Sequence, residues 1–143
     1  MNDSQLYETI IRSHYKHPTK RKPLEGIPYV ENPSCGDKVR IALSVNSEGL
    51  IQEAFFDGTG CSISMSSADI LAQTLEGKTL QEARSLITTF LGVLRGEVPL
   101  ESLEDMGDAV AFSGVARLPV RVKCAALAWR AALEQVEQLE KQY

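Results

Sequence analysis

Val39, Ile41, Leu43 and Val45 alternate with Arg40, Ala42 and Ser44, a period of two that predicts a half-buried strand. Asn46-Ser47-Glu48-Gly49 reads as a turn, and Leu50 to Phe56 returns as a second, more apolar strand. The two make an antiparallel hairpin, and a third strand is expected at Ile27–Val30. Before the hairpin, Leu6, Tyr7, Ile10, Ile11 and His14 recur at helical spacing, with Asp3 or Ser4 as cap and Pro18 as terminator. After it, Ser62 to Glu76 is helical, with Gly77 placed to supply a left-handed cap. Thr79-Leu80-Gln81-Glu82 is a capping box, opening a helix whose apolar face runs from Leu80 and Ala83 to Leu91 and Leu94. Gly96 to Gly107 reads as a loop with a short helix in it, and Pro119 suits the first turn of a long terminal helix. The expected fold is α+β: a small antiparallel sheet of about three strands with helices packed on one face.

Composition narrows the function classes. A chain of 143 residues with 43% apolar and 24% charged residues has the size and make-up of one soluble globular domain. The net charge of −4 argues against nucleic-acid binding by general electrostatics. No apolar run approaches a membrane span, and the polar start is not a signal peptide. An odd count of three cysteines points to reduced thiols and a cytoplasmic location.

Those cysteines carry the candidate chemistry. Cys35 lies in Asn-Pro-Ser-Cys-Gly-Asp, between Pro33 and Gly36, and Asp37 stands two residues on. Cys61 follows Gly58-Thr59-Gly60 and opens a helix, where free N–H groups favour a negative sulfur. Cys124 falls near the start of the last helix, flanked by Arg121 and Lys123. The hairpin puts Cys35 and Cys61 at one end. If the fold also brings Cys124 there, three thiolates and one carboxylate supply the four ligands of a tetrahedral zinc site. Packing cysteines and a solvated Asp37 are the alternative, and for Cys124 a reactive thiolate and a metal ligand make the same demands. No Cys-x-x-Cys pair of a zinc ribbon is present, and the glycines before Cys61 lack the lysine of a phosphate loop. His14 and His17 read as surface or capping residues, Trp129 as a core aromatic and Lys20-Arg21-Lys22 as a solvated charge run.

Together, Asn32 to Asp37, Gly58 to Ser64 and Leu118 to Cys124, with Tyr7, His14-Tyr15 and His17-Pro18, resemble the IscU/NifU-N family of iron–sulfur cluster assembly proteins over essentially the whole chain. Scaffold-type members carry histidine immediately before the third cysteine, where this chain has Lys123, and have a shorter stretch than the 62 residues between Cys61 and Cys124. Both departures look like the SufU branch. The resemblance implies a single domain over 1-143 with a helical insertion at about 77-114. It implies zinc held by Cys35, Asp37, Cys61 and Cys124, with Cys35 as the mobile persulfide acceptor. Arg121 would engage a SufS-type cysteine desulfurase, the partner from which sulfur passes on to downstream cluster assembly proteins. The chain would be a sulfurtransferase partner rather than a stand-alone enzyme, with neither nucleic acid nor membrane as a partner. The other reading is a scaffold on which a [2Fe-2S] cluster is assembled and transferred. Here Leu118-Pro119-Val120-Arg121 lacks the second proline of the scaffold's chaperone motif.

Overall fold

The computed structural model describes residues 3–34 and 36–142. Strands β1 (Val30–Asn32), β2 (Asp37–Val45) and β3 (Ile51–Thr59) form an antiparallel meander in the order β1-β2-β3. Among the described residues four α-helices accompany it: α1 (Asp3–Lys16), α2 (Ser62–Leu75), α3 (Leu80–Leu94) and α4 (Pro119–Gln142). The sheet's inner face, with Val39, Ile41, Ala54 and Phe56 buried, packs on α2 and α4. This is the expected α+β arrangement.

The third strand is displaced from its expected place. Only Val30 of Ile27–Val30 is in β1, which pairs Val30 with Val39 and Asn32 with Asp37. Pro28 cannot donate to a ladder, so pairing begins only beyond it. Because β1 is short, the far edge of β2 is open, and α4 closes it. Gln135 accepts from Leu43 N–H at 2.6 Å and donates to the Ile41 carbonyl at 2.5 Å, blunting an edge that would otherwise pair with another chain.

Helix α2 is the centre of the molecule. Every residue from Ser64 to Ala72 is buried, as expected of a helix wrapped on all sides. Its serines make that possible. Ser67 donates to the Ala125 carbonyl at 2.6 Å and accepts from Trp129 Nε1 at 2.9 Å, so α4 approaches without stranding a polar group. Trp129 is core, as expected, and stacks on Phe90 of α3 at 3.9 Å between ring centroids.

The capping box is formed: Thr79 accepts from Glu82 N–H at 3.1 Å, and the Glu82 carboxylate accepts from Thr79 N–H at 2.9 Å. Gly77 takes the expected positive φ of 83°. The Gly96–Gly107 loop holds the expected short helix, a 3₁₀ helix at Leu100–Leu103, and a second 3₁₀ helix, not expected from the sequence, follows at Gly107–Gly114. Leu103, Met106, Ala109 and Phe112 are buried there. Their near-threefold spacing suits a 3₁₀ helix, which repeats every three residues.

Two charged features differ from expectation. His14 is not a surface residue but is 8% exposed, wedged between Asp69 of α2 and Asp108 of the second 3₁₀ helix; His17 is exposed as expected. Nor is Lys20-Arg21-Lys22 merely solvated. Its backbone bonds the edge of β3 (Phe56 N–H to Lys20 O and Lys22 N–H to Phe56 O, both 3.0 Å). Lys20 pairs with Glu76, and Lys20 and Lys22 both sit over the Phe55 ring. A half-buried aromatic on an edge strand gives the cations a face to cover.

Candidate metal centre

The hairpin delivers two of the site's residues to one end. Asp37 opens β2, and β3 ends at Thr59 directly opposite Lys38, so the chain leaving β3 passes Asp37 at once. Two glycines permit this close approach. A Cβ on Gly58 would lie 2.2 Å from the Lys38 carbonyl oxygen, and one on Gly60 would lie 2.9 Å from the Asp37 carboxyl carbon. Cys61 then caps α2, with its sulfur accepting from Ser64 N–H at 3.5 Å. Cys124 comes from the second turn of α4, which α2 holds against the sheet.

The sulfurs of Cys61 and Cys124 and a carboxylate oxygen of Asp37 all lie within 4.8 Å of one another. Cys61 Sγ is 3.6 Å from Asp37 Oδ2. Asp37 and Cys124 are buried and Cys61 is exposed, so the cluster is anchored inside and open on one side. Asp37 is held further by the Ser64 hydroxyl, which donates to its Oδ2 and lies 3.4 Å from the Cys61 sulfur. Ser64 is 1% exposed and ties the two ligand candidates together. Its sequence signal was its position as third residue of a serine-rich helix start, which fixed polarity but not a partner.

A zinc ion bound at about 2.3 Å from sulfur and about 2.1 Å from oxygen spaces its tetrahedral ligands roughly 3.5–3.8 Å apart. The Cys61–Asp37 separation falls in that span, and the set closes on an ion with shifts below about 1 Å. Two soft thiolates with one hard carboxylate are a donor set zinc accepts. Three of the four expected ligands are therefore gathered, and the fourth, Cys35, lies outside the described residues. Asn32 holds the residues on either side of Cys35: Gly36 N–H bonds the Asn32 carbonyl at 3.0 Å, Ser34 N–H bonds Asn32 Oδ1 at 3.2 Å, and Gly36 has φ 73°.

Arg121 and Lys123 are both exposed on the first turns of α4. Lys123 borders a small cavity of about 160 Å³ with Asn32, Ser34 and Val120. Val120 is 77% exposed and Leu118 44%, leaving an apolar edge beside the site.

Gly60 offers a test of the carboxylate. Its φ is not positive, so Gly60→Ala introduces contact rather than backbone strain. The new methyl displaces Asp37, and zinc affinity should fall about 10- to 100-fold in chelator competition, with the far-ultraviolet spectrum unchanged. Unaltered affinity would remove Asp37 from the ligand set.

The model of the NifU-like N terminal domain matches residues 6–142. The zinc-dependent sulfurtransferase SufU of Bacillus subtilis (strain 168) is 37% identical over 132 residues, 91% of this chain and 88% of that protein. The iron–sulfur cluster assembly scaffold protein IscU of Streptococcus pyogenes serotype M1 is 33% identical over 137 residues, 94% of this chain and 84% of that protein. The crystal structure of a nitrogen-fixing NifU-like protein (N-terminal) from Brucella abortus superposes with a TM-score of 0.79 over 98% of both chains at 17% identity, a likeness of fold. Among the described residues, no helix is long and apolar enough to cross a membrane.

Proposed function

The chain belongs to the NifU-like N-terminal domain family, among the IscU and SufU proteins of iron–sulfur cluster assembly, and from that premise we propose that it is a zinc-dependent sulfurtransferase serving a SufS-type cysteine desulfurase. The carrying observation is the convergence of Asp37, Cys61 and Cys124. Lys123 beside the third cysteine supports the same reading, because an ammonium group offers a metal no lone pair.

Cys35, Asp37, Cys61 and Cys124 would hold the zinc. When bound, the metal keeps thiols deprotonated at neutral pH, so a sulfur released from it is a ready nucleophile. The chain's own residues divide the remaining work. Cys124 and Asp37 are buried and fixed, the latter by Ser64. Cys35, next in sequence to Ser34 and Gly36, is the acceptor. Its thiolate attacks the outer sulfur of the donor's persulfide; a new S–S bond forms on Cys35, the donor's S–S bond breaks, and the donor leaves as thiolate. Arg121 stands one helical turn before Cys124 and is exposed, suited to a carboxylate of the docking desulfurase. Residues 77-114, read as a helical insertion, contact α1 through the His14–Asp108 pair.

The test is cysteine turnover by a cognate desulfurase with the zinc-loaded protein added. We expect stimulation of at least about tenfold, each factor of ten being ~1.4 kcal/mol of barrier, and its loss in Cys35→Ala with zinc content followed in parallel. Absent stimulation, or stimulation that survives Cys35→Ala, would overturn the reading. A second reading, a scaffold for a [2Fe-2S] cluster passed to downstream assembly proteins, draws support from the IscU relative. A stable, transferable cluster after anaerobic reconstitution would favour it.

A further inference from the structure

An open cleft of about 1000 Å³ runs between α1, the second 3₁₀ helix and the first turn of α4. Ser62 and Ile63, which follow Cys61, form part of its wall, and so does Arg121. The cleft and the thiol site therefore share the start of α2 and the start of α4. Its volume is that of a small-molecule site.

The lining is of two kinds. Tyr7, Ile11, Leu100 and Val115 give an apolar surface, and Arg12, Lys16, Arg117 and Arg121 bring four exposed cations. Among the described residues, none of the four makes an ion pair or a side-chain hydrogen bond. Two acids, Asp3 and Glu8, also line the cleft. Asp3 begins α1 and Lys16 ends it, which at 1.5 Å per residue sets them about 20 Å apart. Glu8 lies one turn from Arg12, but no ion pair within 4.0 Å joins them. In a chain of net charge −4, four unpaired cations around one cleft focus an attractive field on anions.

We infer that this cleft binds a small thiol bearing carboxylates, and that this thiol carries sulfur away from the site. The inference rests on the sulfurtransferase reading for its second half. A carrier of persulfide sulfur discharges to a nucleophile of its own kind, and the cations select one with anionic groups. The ligand's thiolate attacks the outer sulfur of the Cys35 persulfide. An S–S bond forms on the ligand, the S–S bond to Cys35 breaks, and Cys35 leaves as thiolate, so electrons balance with no outside reductant.

Glutathione, with two carboxylates, serves as probe. Calorimetric titration should give a Kd below about 1 mM at low salt, matched by ophthalmate, which lacks the thiol, and weakened by 0.3 M salt. Arg12→Ala/Arg117→Ala, two exposed substitutions, should weaken binding at least about fivefold. With Cys35 persulfidated chemically by polysulfide and verified by mass spectrometry, glutathione should remove sulfur faster than 2-mercaptoethanol, and the double variant should erase that preference. Absence of binding, indifference to the double variant, no preference over 2-mercaptoethanol, or binding of an acidic peptide in place of glutathione would each overturn the inference. Chemical loading keeps the test apart from the desulfurase assay, so binding can fail while stimulation stands, and the reverse.

Discussion

Exchange of His14 for alanine is expected to lower the thermal midpoint by roughly 10 °C. His14 Nδ1 lies 2.5 Å from Asp69, which is fully buried, and Nε2 lies 2.7 Å from Asp108, which is about half exposed. Removing one partner of a buried pair costs about 3–5 kcal/mol, because the other charge stays buried. The low end applies here: Asp69 keeps the backbone N–H groups of Thr19 and Lys20, at 3.0 and 2.8 Å. At about 2.1 cal/mol/K per residue of unfolding entropy, ~3 kcal/mol over 143 residues gives the stated shift. Asp108→Asn should cost at most about 1 kcal/mol, since its carboxylate is solvated. The Asp69 hydrogen bond, opposed by burial and reinforced by Asp108, raises the His14 pKa above its ordinary 6.5. A raised folded-state pKa adds stability that is fully present below the unfolded value and lost as pH rises through the folded one. The gap between wild type and His14→Ala should therefore be widest near pH 6 and narrow as pH climbs above 6.5. A gap that widens with pH would mean that His14 is held neutral.

The elements that proved legible were those in which periodicity and local chemistry agree. β2 alternates cleanly, Thr79-Glu82 carries its own hydrogen-bond partners, and Pro119 can only begin a helix. The 3₁₀ segment was less so: Leu103, Met106, Ala109 and Phe112 repeat every three residues, a spacing that is neither strand nor α-helix. His14 misleads for a different reason. Its partners lie 55 and 94 residues away, and nothing in the local pattern of α1 announces two carboxylates from other elements. The candidate site was more readable because hairpin topology is itself local. Asp37 and Cys61 flank one hairpin, so their meeting follows from the turn at Asn46–Gly49. Cys124 arrives through the packing of α4 on α2, which rests on small residues such as Ser67 and Ala125 that carry no directional signal in sequence. Residues 20–22 show the same limit, since only the fold puts Phe55 under the two lysines.

Cys61→Ser is expected to separate metal binding from folding. Cys61 does two jobs: its sulfur is a ligand candidate, and it accepts from Ser64 N–H as the cap of α2. Serine is among the best capping residues, so the metal-free variant should match wild type within about 0.5 kcal/mol in urea titration, a typical bound for a cap exchanged for an equal one. The ligand role is not conserved, because a serine hydroxyl is a poor donor to zinc compared with a thiolate. A structural zinc site contributes about 10–16 kcal/mol from four ligands, so losing one should weaken affinity at least about 100-fold, read by competition with a chromophoric chelator. Cys61→Asp caps the helix equally well and returns a negatively charged oxygen, and should recover part of the affinity. Desulfurase stimulation should fall with zinc occupancy in all three proteins rather than with stability. Zinc retained in Cys61→Ser would strike Cys61 from the ligand set. A Cys61→Ser protein that fails to fold without metal would instead make the sulfur part of the core, which its exposure argues against. The order wild type, Cys61→Asp, Cys61→Ser in metal affinity, at constant metal-free stability, follows only if the same atom that caps the helix also holds the ion.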